Sequence, residues 1–427
     1  MSEWKEYKLV EVITHKKGNA FKSKDYTAKG RKIVRVSNLT ANSIDSNNCN
    51  CIGEDIASKF LDYELKQNDI IIATVGSWES NPASVVGKVV CVPENCSGYL
   101  LNQNAVRIRS NEKASQRFIY YLLKDDKFFK HIIAGARGSA NQASITLEEI
   151  FKFSFSLPDL QTQTAIAETL SSLDDKIELN NKINQELEIL AQTLFKQWFI
   201  DFEFPNENGE PYKSSGGEMV DSELGEIPKR WEVYSMDELL ETVSKTYPLK
   251  KVKEVVFLNT GDIQDGKFLH KNISNPENLP GQAKKSIVQN DILYSEIRPA
   301  NKRFAYVYFD ASQYVVSTKL MVMRSKVEIN SLFQYFYLTQ QESIKYLQQL
   351  AESRSGTFPQ ITFSEVSTIK IALPYFDLVN TFVEIALKPY YDNQFQIKEE
   401  NESLVALRDT LLPKLISGEL EINEINK

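Results

Sequence analysis

The chain has 427 residues, 42% of them hydrophobic, and its 50 Lys and Arg against 57 Asp and Glu leave a formal net charge of −7. That length implies two or more domains, and the apolar content is enough to build their cores. With no long apolar run, a charged and aromatic start (MSEWKEYKLV) and four cysteines, neither a membrane span, a secretory leader nor a disulfide framework is expected, and a cytoplasmic location is.

The charge is unevenly spread. Residues 1–155 hold 22 Lys and Arg against 17 Asp and Glu, a net of +5, and residues 226–372 hold 19 against 16, a net of +3. Residues 156–225 carry 4 against 14, and residues 373–427 carry 5 against 10. Two mildly basic modules alternate with two acidic connectors, a pattern that suits a polyanion at two places and another partner on the connectors.

Taken in order, the first module opens at Trp4, Leu9 and Val12, and IPKRWEVYSMDELLETV reopens the pattern at Trp231, Met236 and Leu239, an offset of 227. The segment Tyr63 to Ser77 resembles Lys285 to Pro299, and both hold Gln-Asn-Asp-Ile, at Gln67 to Ile70 and Gln289 to Ile292. Each reads as a turn running into a buried strand. Strands ending in Arg109-Ser110 and Arg324-Ser325 follow, then aromatic helices, Gly-containing loops, and short strands closing at Leu157-Pro158 and Leu373-Pro374.

After each Leu-Pro a long helix is expected. Gln161 to Phe199 runs about 39 residues without Pro or Gly, with an apolar stripe that includes Leu173, Ile177, Leu187 and Leu194 and polar seam positions at Asn180 and Asn184. In the last segment Asn401, Leu404 and Leu411 match Asn184, Leu187 and Leu194 at an offset of 217. Asn184 and Asn401 are therefore the expected register-fixing pair. Asp159 and Asp377 stand where N-caps belong, and Pro389 is expected to kink or interrupt the second helix. Residues 205–225, rich in Gly, Pro and acid, read as an exposed linker, and Phe195, Trp198, Phe199, Phe202 and Phe204 before them as a docking cluster.

The expected fold is α+β: two α/β modules separated by two long antiparallel coiled-coil helices, in a tandem repeat with pseudo-two-fold symmetry. The boundaries read as module one at 1–157, helix one at 158–204, linker at 205–225, module two at 226–373, and helix two with its tail at 374–427.

Catalytic patterns are few. Gly261 to Phe268 has the G-x4-G-K spacing of a phosphate loop, but Phe268 replaces the Mg²⁺-binding hydroxyl, so the segment reads as a polar turn. Asp159 with Asp174 and Lys176 imitates a nuclease, yet about fifteen residues of helix separate the acids by roughly 22 Å. Cys49, Cys51, Cys91 and Cys96 lack a common zinc spacing and read as buried thiols. His15, His131 and His270 belong to no recognisable triad.

What remains is recognition. Loops that mix Arg, Lys and amide side chains with Gly can approach nucleic acid closely, and Arg, Asn and Gln can read base edges. The candidates in module one are Lys16, Lys17, Ser77, Asn81, Arg137, Ser139, Asn141 and Gln142. Those in module two are Arg298, Asn301, Lys302, Arg303, Arg354, Ser355, Thr357 and Gln360.

With its repeat, the chain resembles the specificity (S) subunit of Type I restriction–modification systems. LPDLQTQTAIAETLSSLDDKIELNNKINQELEILAQTLFKQWF is similar to that family's central conserved region, and Glu400 to Leu420 to its C-terminal one. The resemblance implies that each module reads one half of a bipartite, asymmetric site in double-stranded DNA. It implies helices that set the gap between half-sites and dock two methyltransferase (M) subunits, with restriction (R) subunits joining them. S-adenosylmethionine, ATP and Mg would then sit on the partners, with no cofactor, metal or catalytic residue on this chain. Inserting about four residues into both helices is then expected to lengthen the gap by one or two base pairs. The alternatives are the specificity subunit of a related methylation-only system, and a coiled-coil scaffold with protein-binding modules.

Overall fold

The computed structural model describes residues 4–78, 85–139 and 142–422. Asn81 and Asn141, two of the candidate readers, lie outside them. The chain forms two compact units, Met1–Asn181 with Lys398–Lys427, and Lys182–Ile397. These units cut across the linear boundaries, because each takes one module and one half of each long helix.

In the first unit, Lys5–Lys8 pairs antiparallel with Ser154–Leu157, so the module's opening strand closes on its last. A four-stranded antiparallel sheet follows in the order Ile13–Lys17, Ala105–Ser110, Ile70–Ala73, Val89–Cys91. Ile70, Ile71 and Ile72 are all buried, as a strand covered on both faces requires. Alternation divides them: Ile70 and Ile72 pack with Phe118 and Phe128, and Ile71 packs with Val34, Val90 and Leu101. A second sheet, Tyr26–Thr27, Asn50–Ile52, Arg31–Val34 and Leu100–Leu101, includes one parallel pair.

The second unit repeats this plan. Glu232–Ser235 pairs with Lys370–Leu373, with Glu232 opposite Leu373 as Lys5 is opposite Leu157. Its main sheet runs Leu240–Thr242, Leu320–Ser325, Ile292–Ser295, Phe304–Tyr306. Ile292 and Tyr294 face one core and Leu293 the other. The second sheet again holds one parallel pair, Val255–Leu258 beside Tyr314–Ser317.

The two Gln-Asn-Asp turns are built alike, which explains both that motif and the distant Arg-Ser. Asn68 and Asn290 sit in the left-handed region, at φ 66° and 70°. The carboxylates that follow accept backbone N–H groups three residues back, from Lys66 at 2.7 Å and Val288 at 2.8 Å. Each is then clasped by a two-pronged guanidinium, Arg109 on Asp69 and Arg324 on Asp291. Both carboxylates are buried, and such charges persist inside a protein only when paired and hydrogen-bonded. The carboxylate bond raises each arginine's pKa above its ordinary value.

The central helix, Leu160–Phe195, starts under Asp159, whose carboxylate accepts the Thr162 N–H at 2.9 Å, and ends in a wider turn, Lys196–Ile200. The C-terminal helical segment runs Phe376–Phe382, Val383–Leu387 and Lys388–Ser417. Asp377 lies within its first turn; the capping position belongs to Tyr375. Pro389 does not interrupt the segment. The wide turn before it, where the Lys388 N–H reaches five residues back to Val383, absorbs the ring and the missing donor.

Within each unit the two helix halves pack antiparallel. In the first, Leu170 shares a core with Leu412 and Leu415, Asp174 meets Arg408, and Asn180 meets Asn401. In the second, Glu188 lies near Tyr390, and the rings of Phe199 and Phe382 are 5.0 Å apart. The expected seam residues Leu173, Ile177, Asn184, Leu187, Leu194, Asn401, Leu404 and Leu411 are all half-buried, since two helices alone leave a stripe partly open. The polar crossing differs from expectation. Asn180, buried, donates to Asn401 at 2.9 Å and Glu400 at 2.7 Å, whereas the buried Asn184 Oδ1 has no partner among the described residues. An antiparallel pair sets repeat-equivalent positions at different heights, so the sequence match of Asn184 to Asn401 is not a spatial one.

Residues 205–225, expected as an exposed linker, are mostly exposed but also carry local structure. Tyr212 stacks on Phe204 at 4.7 Å, Phe204 and Phe202 pack on Trp231, and a hairpin pairs Met219–Ser222 with Gly225–Pro228. Phe195, Trp198 and Phe199 are buried in the same core. Trp4 has the matching role in the first unit. A Cβ on Gly418, which sits at φ +75°, would come 3.1 Å from its ring, so only glycine lets the helix end there.

Candidate nucleic-acid interface

In both modules the loop after the Gln-Asn-Asp strand is fastened to the loop after the aromatic helices. In module one, Val75–Gly76 pairs with Gln142–Ser144, which pairs with Arg137–Ser139, and the Trp78 Nε1–H donates to the Ser139 carbonyl at 2.7 Å. Gly138 is obligatory here, because a Cβ would lie 2.0 Å from the Gln142 carbonyl oxygen. Ser77, Arg137, Ser139 and Gln142 are thereby gathered, and the last three are exposed. Lys16 and Lys17 lie on the strand Ile13–Lys17. Lys16 pairs with Asp62 at 3.3 Å and lies over the Tyr63 ring, while Lys17 is exposed.

In module two, Ile297 bridges to Gln360, and Arg298 donates its N–H to the Pro359 carbonyl at 3.2 Å and a guanidinium N–H to that of Thr357 at 3.4 Å. Arg298 and Lys302 both hold left-handed backbones, at φ 44° and 53°, around the turn Pro299–Asn301. Such conformations cost of order 1–3 kcal/mol each for residues other than glycine and persist where the surroundings enforce them. Lys302 approaches Asp265 at 3.8 Å, Arg354 pairs with Glu365 at 2.5 Å, and Ser355 Oγ accepts the Phe358 N–H. Among the described residues, neither Arg298 nor Arg303 is in an ion pair.

The phosphate-loop imitation is a hairpin. Ile263–Gln264 pairs with Lys267–Phe268 through Asp265 and Gly266, both at positive φ, the conformation that a two-residue Asp-Gly turn supplies. It rests on the Arg298 loop, with Gln264 donating to the Asn301 carbonyl and the Asp265 N–H to that of Lys302. The nuclease imitation resolves similarly. Asp159 caps, Asp174 accepts from Arg408 and from the Tyr121 hydroxyl at 2.7 Å, and Lys176 pairs with Glu400.

The cysteines are free; Cys96 is buried, but Cys49, Cys51 and Cys91, also expected to be buried, are half-buried. Partial burial holds the Cys49 and Cys91 thiols up at about 11, where they stay protonated. No group of three or more His, Cys, Asp or Glu among the described residues could hold a metal ion. His15 packs on Phe151, His131 bonds the Glu149 carbonyl, and His270 approaches Asp262. Among the described residues, no helix is long and apolar enough to cross a membrane.

Sequence reasoning missed Trp78, which ties the module-one loops; a tryptophan in a polar loop was the available signal. It placed Asn180 on the polar seam but expected Asn184 as the partner of Asn401.

A duplicated α+β chain that shows two fastened polar loop pairs belongs to the class of tandem recognition proteins. The comparisons narrow this. Residues 1–189 and 228–402 match the family model described as Type I restriction modification DNA specificity domain, and the chain belongs to that family.

The Type I restriction enzyme HindI specificity subunit of Haemophilus influenzae is 47% identical over 145 residues, covering 34% of this chain and 32% of that protein. That match thus spans about a third of the relative. The putative type I restriction enzyme MjaX specificity subunit of Methanocaldococcus jannaschii is 24% identical over 438 residues, covering 98% and 94% of the two chains. A crystal structure of the Type-I restriction-modification system S subunit from M. genitalium shares the fold, with a TM-score of 0.58 at 15% identity over 97% of this chain and 96% of that one.

Proposed function

We propose that this chain is the DNA specificity subunit of a Type I restriction–modification complex, reading a bipartite, asymmetric site with one module per half-site. The carrying observation is the repetition of one device. In each module a cationic, amide-bearing loop pair is held rigid by main-chain bonds, and preorganised Arg and Gln side chains suit bidentate contacts to base edges. Ser77, Arg137, Ser139 and Gln142 serve one half-site; Arg298, Asn301, Arg303, Thr357 and Gln360 serve the other. Lys17 and Lys302 hold phosphates. Lys16, Arg354 and Ser355 are engaged within the fold and shape the loops.

The long helices present exposed apolar residues, Leu179 and Leu407 in one unit and Ile183, Ile189 and Leu190 in the other, among acidic neighbours. These surfaces suit docking of two M subunits. The subunit is non-catalytic: methyl transfer from S-adenosylmethionine belongs to M, and ATP-dependent cleavage to R. Co-expression with the neighbouring methyltransferase gene, followed by genome-wide mapping of methylated adenines, tests this. A gapped motif is expected, and methylation without one would overturn the reading.

A further inference from the structure

Among the described residues, module two carries one feature that the paired loops of module one lack. Phe358 is 53% exposed, in the middle of Arg354–Gln360. An isolated exposed apolar residue is ordinary on a protein surface. This one stands on a backbone segment tied to a cation, Arg298, and that combination points to a ligand.

Three restraints fix the backbone that carries the phenyl group. The Phe358 N–H is tied to Ser355 Oγ at 3.1 Å, the next residue is the buried Pro359, and the carbonyls on either side, of Thr357 and Pro359, are both held by Arg298. A residue before proline is confined to extended backbone, so the chain has little freedom to fold the ring back. An aromatic group presented this way contributes contact area with little loss of conformational entropy on binding. Arg298, which holds both flanking carbonyls, is in no ion pair among the described residues. A protein partner would meet this uncompensated charge unfavourably unless it were acidic, whereas a duplex brings base-edge acceptors for the guanidinium and apolar base surface for the ring.

We propose that Phe358 is a specificity-determining residue that makes an apolar contact with a base of the half-site read by module two, of the kind made to a thymine methyl group. The proposal rests on the DNA-reading function above. It differs from a phosphate contact in a measurable way. An apolar contact releases no counterions, so its loss weakens binding without changing the salt dependence.

The test uses the complex with M subunits and the mapped motif. Binding is measured on duplexes substituted one position at a time through both half-sites, including thymine replaced by uracil. For Phe358→Ala, affinity for the intact site should fall about ten-fold. Discrimination should flatten at one position, in the half-site that Arg298→Ala also affects and not the one that Arg137→Ala affects. The slope of log affinity against log salt should be unchanged, whereas Lys302→Ala, which removes a phosphate contact, lowers it by about one. Phe358→Leu, which keeps apolar bulk, should restore part of the discrimination, and intact reading of the other half-site shows that the variant is folded.

A gapped motif read identically by wild type and Phe358→Ala would overturn this proposal alone. So would unchanged base preference with weaker retention of M, which would make Phe358 a protein contact. Absence of any gapped motif would overturn the functional reading together with it.

Discussion

The two units share a frame and differ in how the module meets its helices. The Asp-Arg clasp, the left-handed asparagine and the tryptophan against a helix end occur in both. The junction is filled differently. Arg117, Tyr121, Lys124 and Asp174 of the first unit stand where the second has Leu332, Phe336, Thr339 and Tyr391.

The first junction is therefore ionic, with Asp174 accepting from both Tyr121 and Arg408 beside a cavity of about 500 Å³. The second is aromatic, with Tyr391 5.9 Å from Tyr335 and 6.5 Å from Tyr306, beside a cavity of about 320 Å³. Elements that define the frame need particular geometry, so their residue types recur. A junction needs only to be filled and satisfied, and two chemistries do that.

The comparison can be broken first at the shared frame. Asp291→Asn and Asp69→Asn should each cost about 3 kcal/mol in denaturant unfolding, because each strips a buried turn of its charged acceptor and leaves an arginine without its carboxylate. Asp291 should cost more, since its side chain is fully buried and that of Asp69 is 4% exposed. Equal and negligible effects would show that the clasp does not hold the frame.

The junctions can be separated next. Asp174→Ala should destabilise the first unit by about 2 kcal/mol, by leaving Arg408 and Tyr121 without their acceptor. Hydrogen exchange should rise around Tyr121 and Arg408 and stay unchanged around Tyr391; a uniform rise would contradict independent junctions.

The smallest effect concerns pH. Burial, and then the charge of Arg408, bring Lys124 down to about 8, while its Nζ donates only to the Ala41 carbonyl and the Asn42 amide oxygen. Between about pH 8 and the ordinary lysine value near 10.4, the unfolded chain binds more protons than the folded one, so stability should rise with pH across that window. The rise should be about 1 kcal/mol, given a partly exposed side chain, and Lys124→Met should abolish it. Thr339 occupies the equivalent place in the second unit, so no matching rise is expected there.

Though Lys16 and Lys17, expected in a loop, lie on the strand Ile13–Lys17, the repeat, the helices and most of the loops were legible along the chain. Each rests on local chemistry: the 3.6-residue period of Leu170 to Trp198, the buried run Ile70 to Ile72, and turn residues such as Asn68 and Gly138. Four matters were decided only in three dimensions. Asp69 reaches Arg109 across 40 residues. Asn180, and not Asn184, crosses to Asn401. The Ser77 and Arg137 loops meet through Trp78, and each compact unit takes half of each long helix. All four depend on pairing between segments remote in the chain, and a pattern read along one segment carries no term for the partner it will meet.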